Sequence, residues 1–457
     1  MEKWWADAFV YHVFPLGYCG GPKTNDFSSP PEPRINALLK LPERLADLGC
    51  NTILLGPVFE STSHGYDTVD LWHIDRRLGS DDDMKRVIGE LHRKGFKVVF
   101  DGVFHHVGRD FWAFWELRRD GENSNRKNWF SGIDFGSAGR HGDGFVYDNW
   151  EGHDSLVKLN TGDPEVREYV FGAVGKMIGY FGIDGLRLDV AYALDMDFLR
   201  GLCGYCRSLK EDFWIMGEVI HGPYDTWLED GLLDSVTNYE CYKSNWSSLN
   251  DDNYFEIDWS LLRHFEEVNG GDTVRMYNFA DNHDVMRAAS RIKDPNKLAL
   301  LYAMLCFMPG IPSIYYGSEL GAEGDRGKSD DWDLRPNAEI LNYGDRALFD
   351  YISGLIRIRK AFPALNRGSF KRLYVANKQY AFERRESGNN SPPVIAAFNM
   401  AETASRVDIK MPGTEAWKII ETGGWKPGGG ASAAERSGDT VTLSVGPESW
   451  LLAGPKE

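Results

Sequence analysis

The spacing of apolar residues along the chain switches repeatedly between short apolar runs, typical of strands, and the wider spacing of helices. The helical pattern at 81–94, for example, ends at Gly95 and is followed directly by the apolar run 97–103. About eight such repeats lie between residues 8 and 361. Strands that alternate with helices pair in parallel, and eight repeats are enough to close a barrel. The pattern therefore predicts an α/β fold built on a (β/α)8 barrel.

The predicted elements can be placed along the chain. Strands are predicted at 8–16, 51–58, 97–103, 185–190, 213–219, 274–280 and 311–316, with weaker signals at 233–238 and 261–268. Helices are predicted at 35–48, 81–94, 165–180, 195–210, 297–307 and 346–361. Within the first of these helices, Pro42 argues against one unbroken helix.

Two regions break the alternation. Residues 107–160 are rich in aromatic residues, Gly and Asp and show no clear period, and a loop of this length is either functional or a small domain of its own. Beyond Pro363 the pattern changes to short alternating runs separated by Gly-rich turns, which predicts an all-β C-terminal domain. We therefore divide the chain into a first barrel segment (residues 1–106), an inserted region (107–160), a second barrel segment (161–362) and a β-domain (363–457).

Composition narrows the classes of function. The 457 residues are 42% hydrophobic and 26% charged, as in globular proteins, and the net charge of −17 argues against a nucleic-acid or anionic-membrane partner. The N-terminal stretch shows no signal-peptide pattern and no apolar run is long enough to span a membrane, so we expect a cytoplasmic protein. The six cysteines include one C-x-x-C pair, Cys203 and Cys206, without a second pair, and we expect them to be reduced and structural.

The stretch 182–191, GIDGLRLDVA, carries the strongest chemical signal. If it forms a strand, its leucines face one side while Arg187 and Asp189 face the other. Strands between helices of a parallel sheet are usually apolar throughout, so two charges on one face need a reason. They form either a buried structural ion pair or a portion of an active site at the C-terminal end of the strand.

Polar residues recur at the same end of other predicted strands. The second strand is followed by ESTSHGYD (60–67), the third ends in DGVFHH (101–106), the fifth in GEVIH (217–221) and the seventh in FADNHD (279–284). Carboxylates with Arg and His, without a Ser-His pair or a Gly-rich phosphate loop, indicate either glycosidic-bond chemistry or metal-assisted hydrolysis. Arg187 would repel a cation beside Asp189, which favours glycosidic-bond chemistry.

These five stretches, in this order, resemble the signature regions of the α-amylase family of retaining glycoside hydrolases, glycoside hydrolase family 13. The resemblance extends over nearly the whole chain, from YHVFPL (11–16) through IPSIYYGSELG (311–321) to the β-rich C-terminal region. It implies a (β/α)8 TIM barrel as catalytic domain, a small inserted domain after the third strand, and a C-terminal all-β sandwich domain.

The resemblance also implies a role for each matching residue. Asp189 would be the nucleophile that forms a covalent glycosyl-enzyme, and Arg187 would keep it ionised and oriented. Glu218 would protonate the leaving oxygen and then activate water, and Asp284 would bind ring hydroxyls of the distorted sugar. The other matches are expected to bind or support the substrate: Tyr66 as a stacking floor, His106 and His283 as hydrogen-bond donors, His221 toward the leaving group, Asp101 as a buried partner of Arg187, Lys158 in the motif LVKLN, and Arg335 in the charged loop 324–336.

Three departures from the family pattern refine this expectation. His105 stands where the family generally has an Asn that often ligates calcium, so we expect no required metal or other cofactor. The motif LVKLN (156–160) resembles the MPKLN of the branch of neopullulanases, cyclomaltodextrinases and maltogenic amylases, and Lys158 in place of an acid argues against the oligo-1,6-glucosidase branch. Members of the first branch usually carry an N-terminal β-domain, whereas this sequence starts at the first strand.

We therefore expect a retaining hydrolase that cleaves α-1,4 bonds of maltooligosaccharides, with cyclodextrins and pullulan as further candidate substrates, acting as a monomer or homodimer. Two alternatives stay open. One is a transglycosidase or sugar isomerase on the same scaffold, which differs in how well the site excludes water from the covalent intermediate. The other is a catalytically inactive glucan-binding member, against which the intact set Asp189, Glu218 and Asp284 argues.

Overall fold

The protein is described by a computed structural model. It covers residues 3–268, 272, 274–326, 331–386, 392–411, 416–425 and 432–456, without the side chains of 266–268. The sheets within these residues are a closed barrel, two sheets of the C-terminal region, and two small sheets in connections at one end of the barrel.

Eight parallel strands form the barrel. Along the chain they are β1 Val10–Val13, β2 Thr52–Leu55, β3 Lys97–Gly102, β4 Gly185–Leu188, β5 Trp214–Gly217, β6 Ser235–Thr237, β7 Met276–Phe279 and β8 Ile311–Tyr315. Each strand pairs with its neighbours in sequence, and β8 pairs with β1 to close the ring. The barrel predicted from the alternating pattern is confirmed, including the weakly signalled strand β6. The other weak signal, at 261–268, is helical instead: its first two residues end the helix Phe255–Leu262, and Arg263–Val268 continue as a π-helix.

Helices surround the barrel. The α-helices of eight or more residues are Leu41–Leu48, Asp81–Arg93, Trp112–Asp120, Pro164–Lys176, Met196–Leu209, Tyr239–Asn250, Phe255–Leu262, Pro295–Phe307 and Arg346–Ala361, and shorter ones are Pro15–Tyr18, Ala288–Arg291 and Pro363–Arg367. Pro42 lies in the first turn of its helix, where a missing N–H costs nothing, and the preceding residues Arg34–Lys40 form a 3-10 helix. The expected break near Pro42 is therefore real.

The interior of the barrel is filled at its N-terminal end by aromatic and aliphatic side chains. Val10, Leu54, Val99 and Trp214 all belong to one buried cluster, and the ring of Trp5 stacks on Trp214 with centroids 6.4 Å apart. This packed core closes one end of the barrel, so a ligand site has to lie at the other end.

The inserted region after β3 contains more regular structure than its sequence pattern predicts. A three-stranded sheet is formed by His106–Gly108, His153–Lys158 and Asn149–Trp150, next to the helix Trp112–Asp120. In the aromatic run FWAFW (111–115), Phe111 and Phe114 are fully buried and pack in a core, whereas Trp115 is 51% exposed. The insertion places its sheet against the C-terminal end of the barrel.

The C-terminal region consists of two antiparallel sheets. Five strands form one sheet, in the spatial order Ser369–Val375, Gln379–Arg385, Val394–Asn399, Ser449–Pro455 and Trp417–Gly424; three form the other, in the order Ser405–Lys410, Thr440–Val445 and Ala433–Ser437. Buried side chains of both sheets, such as Ile395 and Leu443, share one apolar cluster. The predicted all-β domain is confirmed.

All six cysteines are free thiols, as predicted. Within the described residues, none of the helices combines the length and apolar character needed to cross a membrane.

Candidate active site

A cavity of ≈ 430 Å³ opens at the C-terminal ends of the barrel strands. Its walls come from the barrel, from the inserted region, and from the loop that follows β8. Six of the residues singled out in the sequence line it: Tyr66, His106, Asp189, Glu218, Asp284 and Arg335. The strand ends that were expected to carry the chemistry therefore meet at one cavity.

Arg187 lies beneath the cavity and holds three carboxylates around one guanidinium. Its Nη1 is 2.7 Å from both carboxylate oxygens of Asp101 and 3.4 Å from Oδ1 of Asp189. Its Nη2 is 3.0 Å from Oε1 of Glu218. All four residues are at most 6% exposed, so these charges interact in a poorly solvated environment. Asp101 is the buried partner of Arg187 that the sequence predicts.

The parallel register of the strands produces this arrangement. Asp101 of β3 stands directly beside Arg187 of β4, and both side chains point to the same face. Beyond the last paired strand residues, the backbone N–H of Asp189 donates to the carbonyl of Gly102 at 3.0 Å, and that of Glu218 donates to Leu188 at 2.9 Å. The two carboxylates are thus fixed by main-chain hydrogen bonds at adjacent strand ends.

Burial and the nearby charge of Glu218 raise the pKa of Asp189, and the Arg187 guanidinium opposes that rise. Its Oδ2 has no hydrogen-bond partner within the described portion of the chain, although Nε2 of His106 is 3.9 Å away. Two carboxylates that share one guanidinium retain a proton more readily than isolated ones. Arg187 is therefore the group that supports the carboxylate form of Asp189, the form that a nucleophile requires.

Glu218 is held by three donors. Besides Arg187, the hydroxyl of Tyr239 donates to Oε1 at 3.1 Å, and the backbone N–H of Val190 donates to Oε2 at 3.0 Å. Val190 has φ 50° and ψ 38°, a left-handed conformation that is costly for a β-branched residue. This turn directly follows Asp189, and it directs a main-chain donor toward the neighbouring carboxylate.

Asp284 lies between two cationic or donor groups. Its Oδ2 is 2.9 Å from Nε2 of His283, and its Oδ1 is 3.3 Å from Nη2 of Arg335. Burial alone would raise the pKa of Asp284, but the interactions with His283 and Arg335 hold it well below its ordinary value. Asp284 is therefore an anion in this site, able to accept hydrogen bonds from hydroxyl groups.

Tyr66 lines the cavity, and its ring is supported by the buried ring of His283. Their rings stack with centroids 5.4 Å apart, and the Tyr66 hydroxyl contacts Nε2 of His283. The same hydroxyl donates to Oδ2 of Asp101 at 2.9 Å. Tyr66 thus offers a fixed ring at the position expected for a stacking floor.

The histidines near Asp189 are neutral. Burial and the neighbouring His105 lower the pKa of His106 to about 3, and burial and Lys158 lower that of His105 to about 4. A neutral imidazole at His106 can donate a hydrogen bond to a sugar hydroxyl without repelling a cationic transition state. Within the described residues, no three His, Cys, Asp or Glu side chains are grouped as a metal site requires.

Five predicted residues do not line the cavity. Asp101, Arg187 and His283 are buried and support residues that do line it. Lys158 and His221 also lie outside its wall. Lys158 lies opposite His106 in the small inserted sheet, and His221 is exposed beyond the end of β5. The loop 324–336 contributes Arg335, together with Arg326 and Asp331, whereas its residues 327–330 lie outside the described portion of the chain.

Several residues of the cavity wall have no counterpart in the sequence-based prediction. They are mostly aromatic or His residues outside the barrel strands: His64, Trp150, His153, Tyr192 and Tyr239. The rings of Trp150 and His153 stack with centroids 5.0 Å apart, which gives the inserted region a flat surface at the cavity. The one sequence signal that pointed this way is the abundance of aromatic residues in 107–160.

A barrel with two carboxylates bound to one guanidinium at the ends of its strands is typical of an enzyme that uses carboxylates as catalytic groups. Comparisons with known proteins narrow the class of enzyme. The model of the alpha-amylase catalytic domain matches residues 40–341. A cyclomaltodextrinase of a Bacillus species is 31% identical over 420 residues, which cover 84% of this chain and 71% of the relative. Neopullulanase 2 of Thermoactinomyces vulgaris is 32% identical over 414 residues, covering 84% and 68%.

Structural comparison agrees with the sequence comparison. A solved cyclomaltodextrinase superposes with a TM-score of 0.84 at 26% identity and covers 99% of this chain and 78% of that chain. The chain belongs to the alpha-amylase family and is a glycoside hydrolase. The family resemblance identified from the strand-end motifs is confirmed.

Proposed function

We propose that this protein hydrolyses α-1,4 bonds of maltooligosaccharides with retention of configuration, and that Asp189, Glu218 and Asp284 carry the reaction. The observation that carries this proposal is the placement of Asp189 and Glu218 on one buried guanidinium at the edge of an open cavity. Relatives named cyclomaltodextrinase and neopullulanase support an α-glucan as substrate.

In the first step, a carboxylate oxygen of Asp189 attacks the anomeric carbon of the sugar. The bond from that carbon to the glycosidic oxygen breaks, and Glu218 transfers its proton to the departing oxygen. In the second step, a water molecule gives a proton to Glu218 and its oxygen to the anomeric carbon, and the bond to Asp189 breaks. Two inversions at one carbon retain its configuration, which requires carboxyl groups roughly 5 to 5.5 Å apart.

The surrounding residues have supporting roles in this proposal. Asp284, held as an anion, accepts hydrogen bonds from ring hydroxyls and favours the distorted sugar, while Tyr66 lies under the ring. His106 donates to the same sugar. The stacked pair of Trp150 and His153 offers a flat surface to the next glucosyl unit, because the C–H faces of sugars pack on rings.

The test is a time course of products from maltoheptaose, β-cyclodextrin and pullulan, with and without a chelator. We expect short maltooligosaccharides, newly formed ends that are first α-anomers by proton NMR, and rates that chelation changes by less than about twofold. The variant Asp189→Asn, purified in parallel, serves as a control for contaminating activity. The ranking of the three substrates then places the enzyme within the family.

Two outcomes would overturn the proposal. First-formed β-anomers would exclude retention. Absence of turnover on all three glucans, combined with conversion of glucose-containing disaccharides, would favour a transglycosidase or isomerase instead. A cytoplasmic location and a monomeric or dimeric state stay predictions of the sequence.

A further inference from the structure

We propose that Tyr239 is a positioning residue for Glu218, whose hydroxyl donates a directed hydrogen bond that favours the carboxylate left after proton transfer to the substrate. This inference rests on the proposed function, because it assigns a second residue to the acid and base step. Neither the family motifs quoted above nor the comparisons point to Tyr239, which belongs to a helix absent from the sequence-based prediction.

The direction of the hydrogen bond is set by a short chain of groups. The backbone N–H of Asp284 donates to Oδ1 of Asn282 at 2.9 Å, which fixes the side-chain amide and turns its Nδ2 toward Tyr239. That Nδ2 donates to the Tyr239 oxygen at 3.1 Å. Since Asn282 already supplies a hydrogen to this oxygen, the hydroxyl hydrogen of Tyr239 points to Oε1 of Glu218, 3.1 Å away.

Aromatic packing fixes where the hydroxyl lies. The ring of Tyr239 meets Phe279 of β7 edge-on with centroids 5.0 Å apart, and Tyr242 edge-on at 6.2 Å. Burial and the charge of Glu218 raise the pKa of Tyr239 well above its ordinary value, so the hydroxyl stays protonated and remains a donor. Hydrogen bonds through Asn282 and Tyr239 therefore connect the backbone of Asp284 with the carboxylate of Glu218.

The chemical consequence concerns only the proton on Glu218. When Glu218 has given its proton to the leaving oxygen, its Oε1 is a full acceptor for Tyr239 and Arg187, and its Oε2 is an acceptor for Val190. Hydrogen bonds to the charged form favour that form, so they drive proton donation to a poor leaving group. Tyr239 itself neither gains nor loses a proton in either step.

The variant Tyr239→Phe keeps the ring and removes only the hydroxyl. We expect kcat on maltoheptaose to fall about tenfold to thirtyfold with KM within about twofold, as expected for one lost hydrogen bond to a charged group. The alkaline limb of the pH profile of kcat/KM should move to higher pH. On α-maltosyl fluoride, whose leaving group needs little protonation, the loss should stay below about threefold.

Tyr242→Phe is the matched control, because Tyr242 stacks on Phe279 at 5.1 Å in the same cluster and makes no hydrogen bond with Glu218. It should leave kcat, the pH profile and the leaving-group dependence unchanged. Tyr239→Ala removes the ring as well. If Tyr239 served only in packing, Tyr239→Phe would have wild-type activity and Tyr239→Ala would be impaired.

The inference is overturned if Tyr239→Phe has a wild-type pH profile, or if it slows both substrates equally. These results are distinguishable from failure of the proposed function. If the proposed function is wrong, the wild-type enzyme itself shows no retaining hydrolysis of maltoheptaose. If the wild type is active and Tyr239→Phe is unaffected, only the role of Tyr239 is rejected.

Discussion

Two buried aspartates lie at the two ends of strand β4, and they have opposite environments. Asp184 precedes the strand, and its carboxylate accepts hydrogen bonds from Lys97 at 3.0 Å, Lys210 at 2.8 Å and His92 at 2.8 Å. Asp189 follows the strand and contacts Arg187 at 3.4 Å, while its other oxygen has no partner among the described residues. The carboxylate of Asp184 thus accepts hydrogen bonds on both oxygens, whereas Asp189 keeps one oxygen without a hydrogen bond.

The pKa values of the two aspartates are shifted in opposite directions, in line with these different environments. Burial tends to raise the pKa of Asp184, but hydrogen bonds from His92 and Lys210 hold it well below its ordinary value. Burial and Glu218 raise the pKa of Asp189. In a barrel of this class, the N-terminal end of a strand serves stability and the C-terminal end serves function. The two aspartates show this division within a single strand.

The largest expected effect is at the functional end. Asp189→Asn should lower kcat/KM on maltoheptaose by about 10⁴-fold or more, because the nucleophile is lost. Its melting temperature should rise, because the change removes one negative charge beside Glu218, while Arg187 keeps Asp101 at 2.7 Å. Steady-state kinetics and thermal unfolding of the same preparation measure both. A variant with near-normal turnover would contradict the assignment of the nucleophile.

Asp184→Asn should show the reverse pattern. The change leaves Lys97 and Lys210 without their common anion, and since these lysines are 39% and 27% exposed, water compensates for some of the loss. We expect the free energy of unfolding to fall by about 2 kcal/mol. Urea unfolding at pH 7 measures this change. Turnover per folded molecule should be unchanged, and a large loss of kcat would show that the two ends of β4 are coupled.

The effects of both substitutions on the free energy of unfolding depend on pH. Asp184 has a lowered pKa in the folded state, so its contribution is fully present above the ordinary Asp value near 3.9 and is lost as the pH falls below it. Asp189 has a raised pKa, so it costs stability at neutral pH and this cost disappears in acid. Relative to wild type, the two variants should therefore differ in stability with opposite sign at pH 7. Both differences should shrink as the pH falls below about 4, that of Asp184→Asn more slowly, because the folded-state pKa of Asp184 lies well below its ordinary value. Parallel rather than converging curves would contradict both shifts.

The smallest expected effect concerns the floor of the cavity. Tyr66→Phe keeps the ring that stacks on His283 but removes the hydroxyl that donates to Asp101 at 2.9 Å. We expect kcat/KM to fall about fivefold, the size of one modest hydrogen bond. Tyr66→Ala should cost far more, because the stacking surface is lost. Equal losses for the two variants would place the role of Tyr66 in its hydroxyl.

The sequence predicts the barrel and the residues at its strand ends because both follow from local patterns. Alternation within GLRLDVA places Arg187 and Asp189 on one face, and parallel pairing brings Asp101 beside them. Trp150 and Tyr239 could not be found in this way, because they come from a region without a period and from a helix whose Ser and Asn residues obscure its pattern. The donors of Asp184 were equally out of reach, because Lys97 and Lys210 come from other elements far along the chain.

The most direct test of the central claim is to trap the covalent intermediate on Asp189. Glu218→Gln, which keeps the size of the side chain but cannot act as base, is incubated with α-maltosyl fluoride, whose fluoride departs without acid assistance. Rapid acid quench, proteolysis and mass spectrometry should show one maltosyl unit on the peptide that contains Asp189, and no such adduct in the double variant with Asp189→Asn. Consumption of the fluoride without an adduct, or an adduct on another residue, would contradict the account.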